Sequence, residues 1–385
     1  MQIAVVRARA TMATLTLVAL AGVALTTAPG AEAKPKKKGV VKVMTRNVFL
    51  GADLTPGLEA GSIGEFVQAN GGILREVTQT EFPRRSRALA AEIRNKKPDL
   101  VGLQEVAWWR INETASLDPI ANGPSASQTR FNFLQLLMDK LKGYRVAVVQ
   151  NEFDFEAPAD ENGIPDDGEI TGAGPDLDDA ELNGRLTMRD VILVKRSKQV
   201  KTKNPTSGHF GNLLNVTVAG AVPIDVTRGW TRVEAKVGKG PWFSFTNTHF
   251  EAFDDETETP SIRQLQATET GEPGGYADSN RPTVLVGDLN SDDQSVAEND
   301  QKAYNALLGF GWRPRSTESP MSCCVNDLFN APPSLFDHHI DHVMTNSPRQ
   351  VRLLSSSVVG RHQVDGIYPS DHAGVVSKLR IKPGS

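Results

Sequence analysis

The amino-acid sequence predicts an α/β domain with many strands, on three observations. Short runs rich in β-branched and aliphatic residues recur along the chain. Amphipathic stretches of helical period alternate with them, which is the pattern of helices laid on a sheet. No internal repeat and no linker divides the chain after its first forty residues, and 385 residues suffice to bury a large core. Glycine and proline are plentiful but aperiodic, so the chain is loop-rich rather than fibrous.

In order, Val40 to Thr45 is an apolar run ending in the polar pair Arg46-Asn47 and reads as the first core strand. Gly51 to Gly72 is glycine-rich with a short helical candidate inside it. Glu81 to Asn95 places Phe82, Leu89 and Ile93 on one side and arginines on the other, a helix closed by Pro98. Asp99 to Leu103 is a strand that delivers Gln104 and Glu105 at its end. Phe131 to Leu141 repeats the helix signal and Arg145 to Gln150 the strand signal. Arg189 to Val194, Thr231 to Val237 and Trp242 to His249 are strands, and Ser261 to Thr268 and Ser295 to Leu308 are helices. Ile340 to Met344 and Gly374 to Leu379 are the last strands. Between them, Glu152 to Glu181 accumulates acidic residues, lacks lysine and arginine and is broken by glycine and proline, so a surface insertion is expected at about 152–184. Its oxygen-bearing turns from Asp160 to Glu169 lack the spacing of a calcium-binding loop, which favours a solvated acidic loop.

The first 33 residues stand apart. Arg7 and Arg9, an apolar stretch from Ala13 to Leu25 and the small-x-small site Ala31-Glu32-Ala33 predict a secretory signal peptide cleaved after Ala33, and hence a secreted protein. Residues 34–39 would then form a basic flexible tail. The formal net charge of −4 lacks the broad basic footprint of a nucleic-acid binder, though it leaves room for a local phosphate groove. The two cysteines, Cys323 and Cys324, are adjacent, which excludes a multi-thiolate zinc site and a disulfide framework; a vicinal disulfide is favoured over two thiols.

The stretch from Val284 to Ser291 reads as a buried strand that turns at Gly287 and presents Asp288 and Asn290 on one side. A carboxylate and an amide two residues apart can hold a water and a ligand oxygen together. Similar polar residues end the other strands: Asn47, Glu105, His249, Asp341, Asp371 and His372. Each alone has a structural explanation, but their joint position at successive strand ends marks a site. The set is carboxylate, amide and imidazole without thiolate, which suits a hard cation and favours magnesium over zinc.

With these residues in place, the chain resembles the endonuclease/exonuclease/phosphatase superfamily, of pancreatic deoxyribonuclease-like fold, as a secreted bacterial-type member. The matching pieces are Thr45-Arg46-Asn47, Pro98 to Glu105, Arg189 to Leu193, Asn247-Thr248-His249, Gly287 to Asn290, Ile340-Asp341-His342 and Ser370-Asp371-His372. The resemblance implies one domain over 40–385, a four-layer sandwich of two mixed β-sheets packed face to face with helices on both outer faces. It implies a magnesium-dependent phosphodiesterase, with manganese as a substitute metal. Glu105 would be the principal metal ligand, with Asn47 and Asp371 in the same shell. Asp288 would orient or deprotonate the attacking water, Asn290 would hold water and phosphate in line, and His249 would donate to a phosphate or leaving-group oxygen. His372, paired with Asp341, would stabilise the transition-state charge, and Arg189 would contact phosphate. On a strand, His339 shares a face with Asp341 while His338 and His342 point away, so at most one of the three faces the metal. His342 departs from the aromatic that usually follows this Asp in the family.

Export leaves three substrate classes. A sphingomyelinase-like phospholipase C and an extracellular DNase-like nuclease stand level, ahead of a phosphomonoesterase. Trp108 and Trp109 would lie at the cleft rim, dipping into lipid or stacking on a base, or else pack in the core. A monomer with transient membrane-surface contact is expected. The non-enzyme alternative, a lapsed binding protein on the same fold, is opposed by the completeness of the set Glu105, Asp288, Asp341 and His372.

Overall fold

The computed structural model describes residues 39–163, 179–253, 260–294, 301–317 and 319–383. The expected signal peptide and all but the last residue of the basic tail lie outside them. The elements run β1 (Val40–Asn47), α1 (Thr55–Leu58), α2 (Ile63–Gln79), α3 (Phe82–Lys96), β2 (Leu100–Gln104), β3 (Trp108–Asn112), α4 (Asp118–Asn122), β4 (Gln128–Asn132), α5 (Phe133–Met138), β5 (Tyr144–Ala159) and β6 (Leu182–Lys195). They continue with β7 (Val200–His209), β8 (Leu214–Val218), β9 (Val222–Val226), β10 (Gly229–Val237), β11 (Trp242–His249), α6 (Ile262–Gly271) and β12 (Thr283–Asp288). Last come α7 (Lys302–Gly309), β13 (Arg313–Pro314), β14 (Asp341–Thr345), β15 (Val351–Val359) and β16 (Gly374–Ile381).

One sheet has the order β15-β16-β1-β2-β6-β3-β4, with β5 on the other side of β6, and the second has the order β13-β14-β12-β11-β10-β7. Both are mixed: β1 pairs parallel with β2 and β11 with β12, while their other neighbours run antiparallel. Alternation along each strand sends side chains to opposite faces. Val43, Leu100 and Ile192 of the first sheet therefore pack against Val233, Phe245 and Val286 of the second. Their neighbours Met44, Val101 and Leu193 point outward onto Leu74 of α2, Leu89 of α3 and Leu137 of α5. On the far side, Leu285 and Met344 meet Ala267 of α6 and Leu307 of α7. The result is the expected four layers, each buried aliphatic side chain contributing roughly 1.5–3 kcal/mol.

Beneath one end of the sandwich the sheets are also tied by polar groups. Gln104 Nε2 donates to Asn247 Oδ1 at 2.5 Å, and Asn247 Nδ2 donates to the Leu103 carbonyl at 3.2 Å. Gly102 makes this approach feasible, since a Cβ there would sit 2.2 Å from Asn247 Oδ1.

Three expectations need correction. The acidic segment is not a loop at its flanks: residues up to Ala159 belong to the long strand β5, paired with β6 from Tyr144 to Ala159, and Glu152 and Glu156 are buried. Acidic composition concealed a strand whose carboxylates point inward, and residues 164–178, with part of the calcium candidate, lie outside the described residues. The glycine-rich region holds the 17-residue helix α2, capped by Ser62, whose side chain accepts from Glu65 N. Finally, Phe131 and Asn132 end the strand β4, so α5 begins only at Phe133. Of the expected helix from Ser295 to Leu308, residues 295–300 are not described and the rest is α7.

Gly71 explains why α2 was hidden. A Cβ there would lie 1.6 Å from the Asp160 carbonyl oxygen, so the glycine permits close helix–strand contact rather than a turn. Its neighbour Gly72 has no such constraint, the nearest atom being an Arg75 guanidinium nitrogen at 3.7 Å. Gly72→Ala is expected to raise stability by about 0.5–1 kcal/mol through helix propensity. Gly71→Ala is expected to lower it by about 1–3 kcal/mol through overpacking. Opposite shifts of the denaturant midpoint check the pair; equal shifts would contradict the packing described.

Candidate active site

The site forms where the carboxyl ends of β1, β2, β11 and β12 reach the same end of the sandwich. In the second sheet the register sets Gly229 beside His249, His249 beside Asp288, and Asp288 opposite Asp341. In the first sheet Asn47 lies beside Gln104, and Glu105 follows in the break between β2 and β3. Phe49, Glu105 and Asn290 all adopt left-handed backbone, with φ of 59°, 58° and 45°. Non-glycine residues there cost of order 1–3 kcal/mol each, a strain held by the surrounding contacts.

Asn47 is the link between the sheets. Its Nδ2 donates to Glu105 Oε1 at 2.8 Å and to Asp288 Oδ2 at 3.0 Å, while its Oδ1 accepts from Phe49 N. Glu105 Oε2 accepts from Leu50 N at 2.7 Å. Asp288 Oδ1 accepts from Asn290 N at 3.0 Å, and its Oδ2 faces His372 Nε2 at 3.6 Å and His249 Nε2 at 3.7 Å. Burial pushes the Asp288 carboxyl up to about 7, with His372 opposing and Asp341 adding to the rise. Burial likewise raises Asp371 to about 6, against the pull of His372 and with the help of Glu105.

The two imidazoles are set in opposite states. His372 Nδ1 lies 2.9 Å from Asp341 Oδ2. Burial alone would lower the His372 pKa, yet Asp341, Asp288 and Asp371 lift it well above the usual value, so the ring is cationic. His249 Nδ1 faces the Arg228 guanidinium at 3.1 Å. Arginine only donates, so His249 Nδ1 is the acceptor and Nε2 carries the proton, directed at Asp288 and Glu105. Burial, then Arg228 and His372, hold the His249 pKa well below its usual value and the ring neutral.

Thus Asn47, Glu105, His249, Asp288, Asp341, Asp371 and His372 come together. Asn290 borders them, but its Nδ2 is engaged with the Phe250 carbonyl at 2.9 Å and it lines an adjoining pocket with Asp292 and Cys323. Arg189 does not join. Its guanidinium donates to the carbonyls of Val106 and Ala107 and to Asn132 Oδ1, so it braces the segment behind Glu105. The tryptophans are not at the rim either: Trp109 is buried with Nε1 on the Leu50 carbonyl, and Trp108 is covered by Arg110. Nor does His339 share the face of Asp341. It precedes β14, where strand alternation does not yet apply, and instead meets Asp293 and His342.

Several participants were not singled out in the sequence. Arg228 is locked to Glu251 by two contacts of 3.3 Å, both side chains buried. Arg85 is fully buried and donates to the carbonyls of Thr80, Val48, Phe49 and Pro369. It joins the segment after Asn47 to the segment before Asp371. Arg46 binds Glu92 and the His372 carbonyl. Glu152 and Asp190 are buried carboxyls without hydrogen-bond partners. Burial first, then Asp190 for Glu152, raises both well above the usual range against the pull of Arg228. Cys323 and Cys324 form the expected disulfide, with sulfurs 3.5 and 3.7 Å from His372 Nε2. For Arg85, Arg228, Glu152 and Glu251 the only sequence signal is a charged residue set among apolar ones, which is also the pattern of solvated strand faces.

A cleft of about 520 Å³ opens over Glu105 and Asp371, walled by Phe49, Leu54, Phe253 and Leu328 and bordered by Cys324. Because Arg85 supplies partners to four carbonyls, Arg85→Met is expected to cost about 3 kcal/mol or more. Chemical unfolding checks this, and a loss below 1 kcal/mol would show the clamp to be dispensable.

Residues 69–372 match the Endonuclease/Exonuclease/phosphatase family. No curated protein matches the sequence. The structure is similar to an endonuclease/exonuclease/phosphatase family protein from Bacteroides thetaiotaomicron, with a TM-score of 0.51 and 16% identity over 89% of this chain and 98% of that one. It is also similar to a mannosyl-6-phosphatase from the same organism, at a TM-score of 0.49 and 15% identity over 88% and 99% of the two chains. The human Nocturnin catalytic domain with bound sulfate follows at a TM-score of 0.46 and 15% identity over 89% and 94%. On the extent of the family match, this chain belongs to the endonuclease/exonuclease/phosphatase family.

Proposed function

We propose that the protein is a secreted, magnesium-dependent phosphodiesterase that hydrolyses phospholipid-type esters by in-line attack of water. Members of its family are hydrolases of phosphoester bonds. The observation that carries the reading is the pairing of oppositely set imidazoles across one carboxylate, with neutral His249 and cationic His372 both within 3.7 Å of Asp288 Oδ2.

Glu105 and Asp371, with Asn47, are the groups that would hold the cation. They fit a hard ion: all three offer oxygen, Glu105 and Asp371 line the same cleft, and the neighbouring cysteines are joined to each other rather than free as thiolates. When bound, such an ion neutralises a non-bridging phosphate oxygen and eases departure of the ester oxygen. The chain's own groups do the rest. Asp288, poised near neutrality and held by Asn47 and the Asn290 amide, accepts a proton from water as the new P–O bond forms. His249 donates from Nε2 to a phosphate oxygen, and His372, kept charged by Asp341, stabilises the negative charge that develops as the ester bond breaks.

The cleft favours lipid among the substrate classes. Its wall is largely apolar, and among the described residues its one lining cation, Arg228, is bound to Glu251. A track for nucleic acid needs free lysines or arginines along the backbone path. Export rests on the segment from Arg7 to Ala33.

Sphingomyelin, plasmid DNA and a phosphomonoester, each offered with magnesium and with chelator, test the reading. Turnover of the lipid alone, abolished by chelator, is expected; exclusive turnover of DNA would transfer the assignment to a nuclease. Asp288→Ala is expected to lower kcat by about 10²–10⁴. His249→Ala is expected to lower it by about 10²–10³ through loss of a fixed donor. Circular dichroism confirms folding of both variants, and wild-type turnover by either would remove that residue from the mechanism.

A further inference from the structure

Two of the histidines around Asp341 take no part in the catalytic arrangement, and each has an unmet chemical requirement. His339 and His342 are both 1% exposed, and their rings meet edge to face with centroids 4.7 Å apart. His342 Nε2 lies 3.0 Å from the Ser291 carbonyl. A carbonyl only accepts, so the proton sits on Nε2 and Nδ1 presents a lone pair. That Nδ1 is buried without a partner. His339 Nδ1 lies 2.7 Å from Asp293 Oδ1, and its Nε2 is likewise buried without a partner. Two orphaned ring nitrogens in contacting rings are costly unless something else binds there. One ligand atom from each of Asp293, His339 and His342 lies within 4.8 Å of the other two.

We propose that Asp293, His339 and His342 form a binding site for one transition-metal cation of the zinc class, separate from the catalytic carboxylates. Imidazole nitrogen with a single carboxylate is a borderline donor set that suits zinc and disfavours magnesium, which keeps oxygen ligands. His342 contributes through Nδ1, with Nε2 anchored on Ser291 as outer partners anchor ligating imidazoles. Tyr304 packs against His342 with centroids 4.9 Å apart and holds the ring in place. Asp293 keeps 9% of its side chain exposed against 1% for His339, so the cluster reaches solvent at the carboxylate.

The site joins two segments that matter to catalysis. Asp293 follows Asp288 and Asn290 after β12, and His339 precedes Asp341 at the start of β14. A cation here staples the two segments on the outer side of the second sheet, away from His372.

The test is metal retention by the purified full chain. Protein exposed to zinc and then dialysed against magnesium buffer is assayed for bound metal by mass spectrometry, and its thermal unfolding is compared with and without zinc. Wild type and Glu105→Gln are expected to retain about one zinc per chain and to unfold at higher temperature with it. His342→Phe, which keeps an aromatic ring against Tyr304, is expected to lose at least about nine-tenths of the bound zinc and the thermal shift. His339→Gln serves the same purpose if the phenylalanine variant fails to fold. Cobalt bound to wild type is expected to give the intense visible bands of a low-symmetry nitrogen-containing site. Absence of retained zinc in wild type, full retention by a folded histidine variant, or its loss in Glu105→Gln would each overturn the proposal.

Discussion

Among the described residues, Glu105, Glu152, Asp190, Asp288, Asp341 and Asp371 crowd one end of this sandwich, with Glu251 behind them on Arg228. Their mutual repulsion, inside a protein where charge is poorly solvated, is the constraint to which the surrounding structure responds. Asp341 is offset by His372, and Arg228 and Arg85 lie behind the group as buried cations. At Glu152 and Asp190 burial outweighs the pull of Arg228 and pushes both carboxyls well above the usual range. The asymmetry between the two imidazoles follows from the same balance. His372 is surrounded by acids and is charged, whereas His249 is backed by a guanidinium and is neutral.

This balance also explains how the two sheets stay in register at the site. Asn47 is neutral, so it can donate to Glu105 in one sheet and Asp288 in the other without adding charge. Below it the Gln104–Asn247 contact repeats the device with a second amide pair. Arg46 and Arg85 then spend their donors on backbone carbonyls around Asn47 and His372, which turns loop positions into fixed ones.

Much of this is legible in the sequence, because a short apolar run, or for His249 an alternating one, that ends in a polar residue marks a strand end. Asn47, His249 and Asp288 were found in this way. What escaped had a physical reason in each case. The glycine-rich stretch from Gly51 to Gly72 suggests only a short helix because close packing and tight turns make the same demand for a missing Cβ. Glu152 looked solvated because burial of a carboxylate leaves no mark on composition. The family resemblance implies a phosphate contact for Arg189, but its side chain turns toward Val106 and Ala107, and no pattern of residue types reports a side-chain torsion. His339 was misplaced by carrying strand alternation two residues beyond the start of β14.

The pairing of β1 with both β2 and β16 has a bearing on how the site is reached during synthesis. Val40 lies beside Arg380, and the Asn47 carbonyl accepts from Ser370 Oγ, residues translated more than three hundred positions later. A nascent chain can collapse much of its hydrophobic interior early, but the contacts that neutralise its acidic end are among the longest-range in the molecule. The site is therefore complete only once the late segment from Ser370 has joined β1, and a product cut short before Asp371 keeps Glu105, Asp288 and Asp341 but lacks the imidazole that faces the last two.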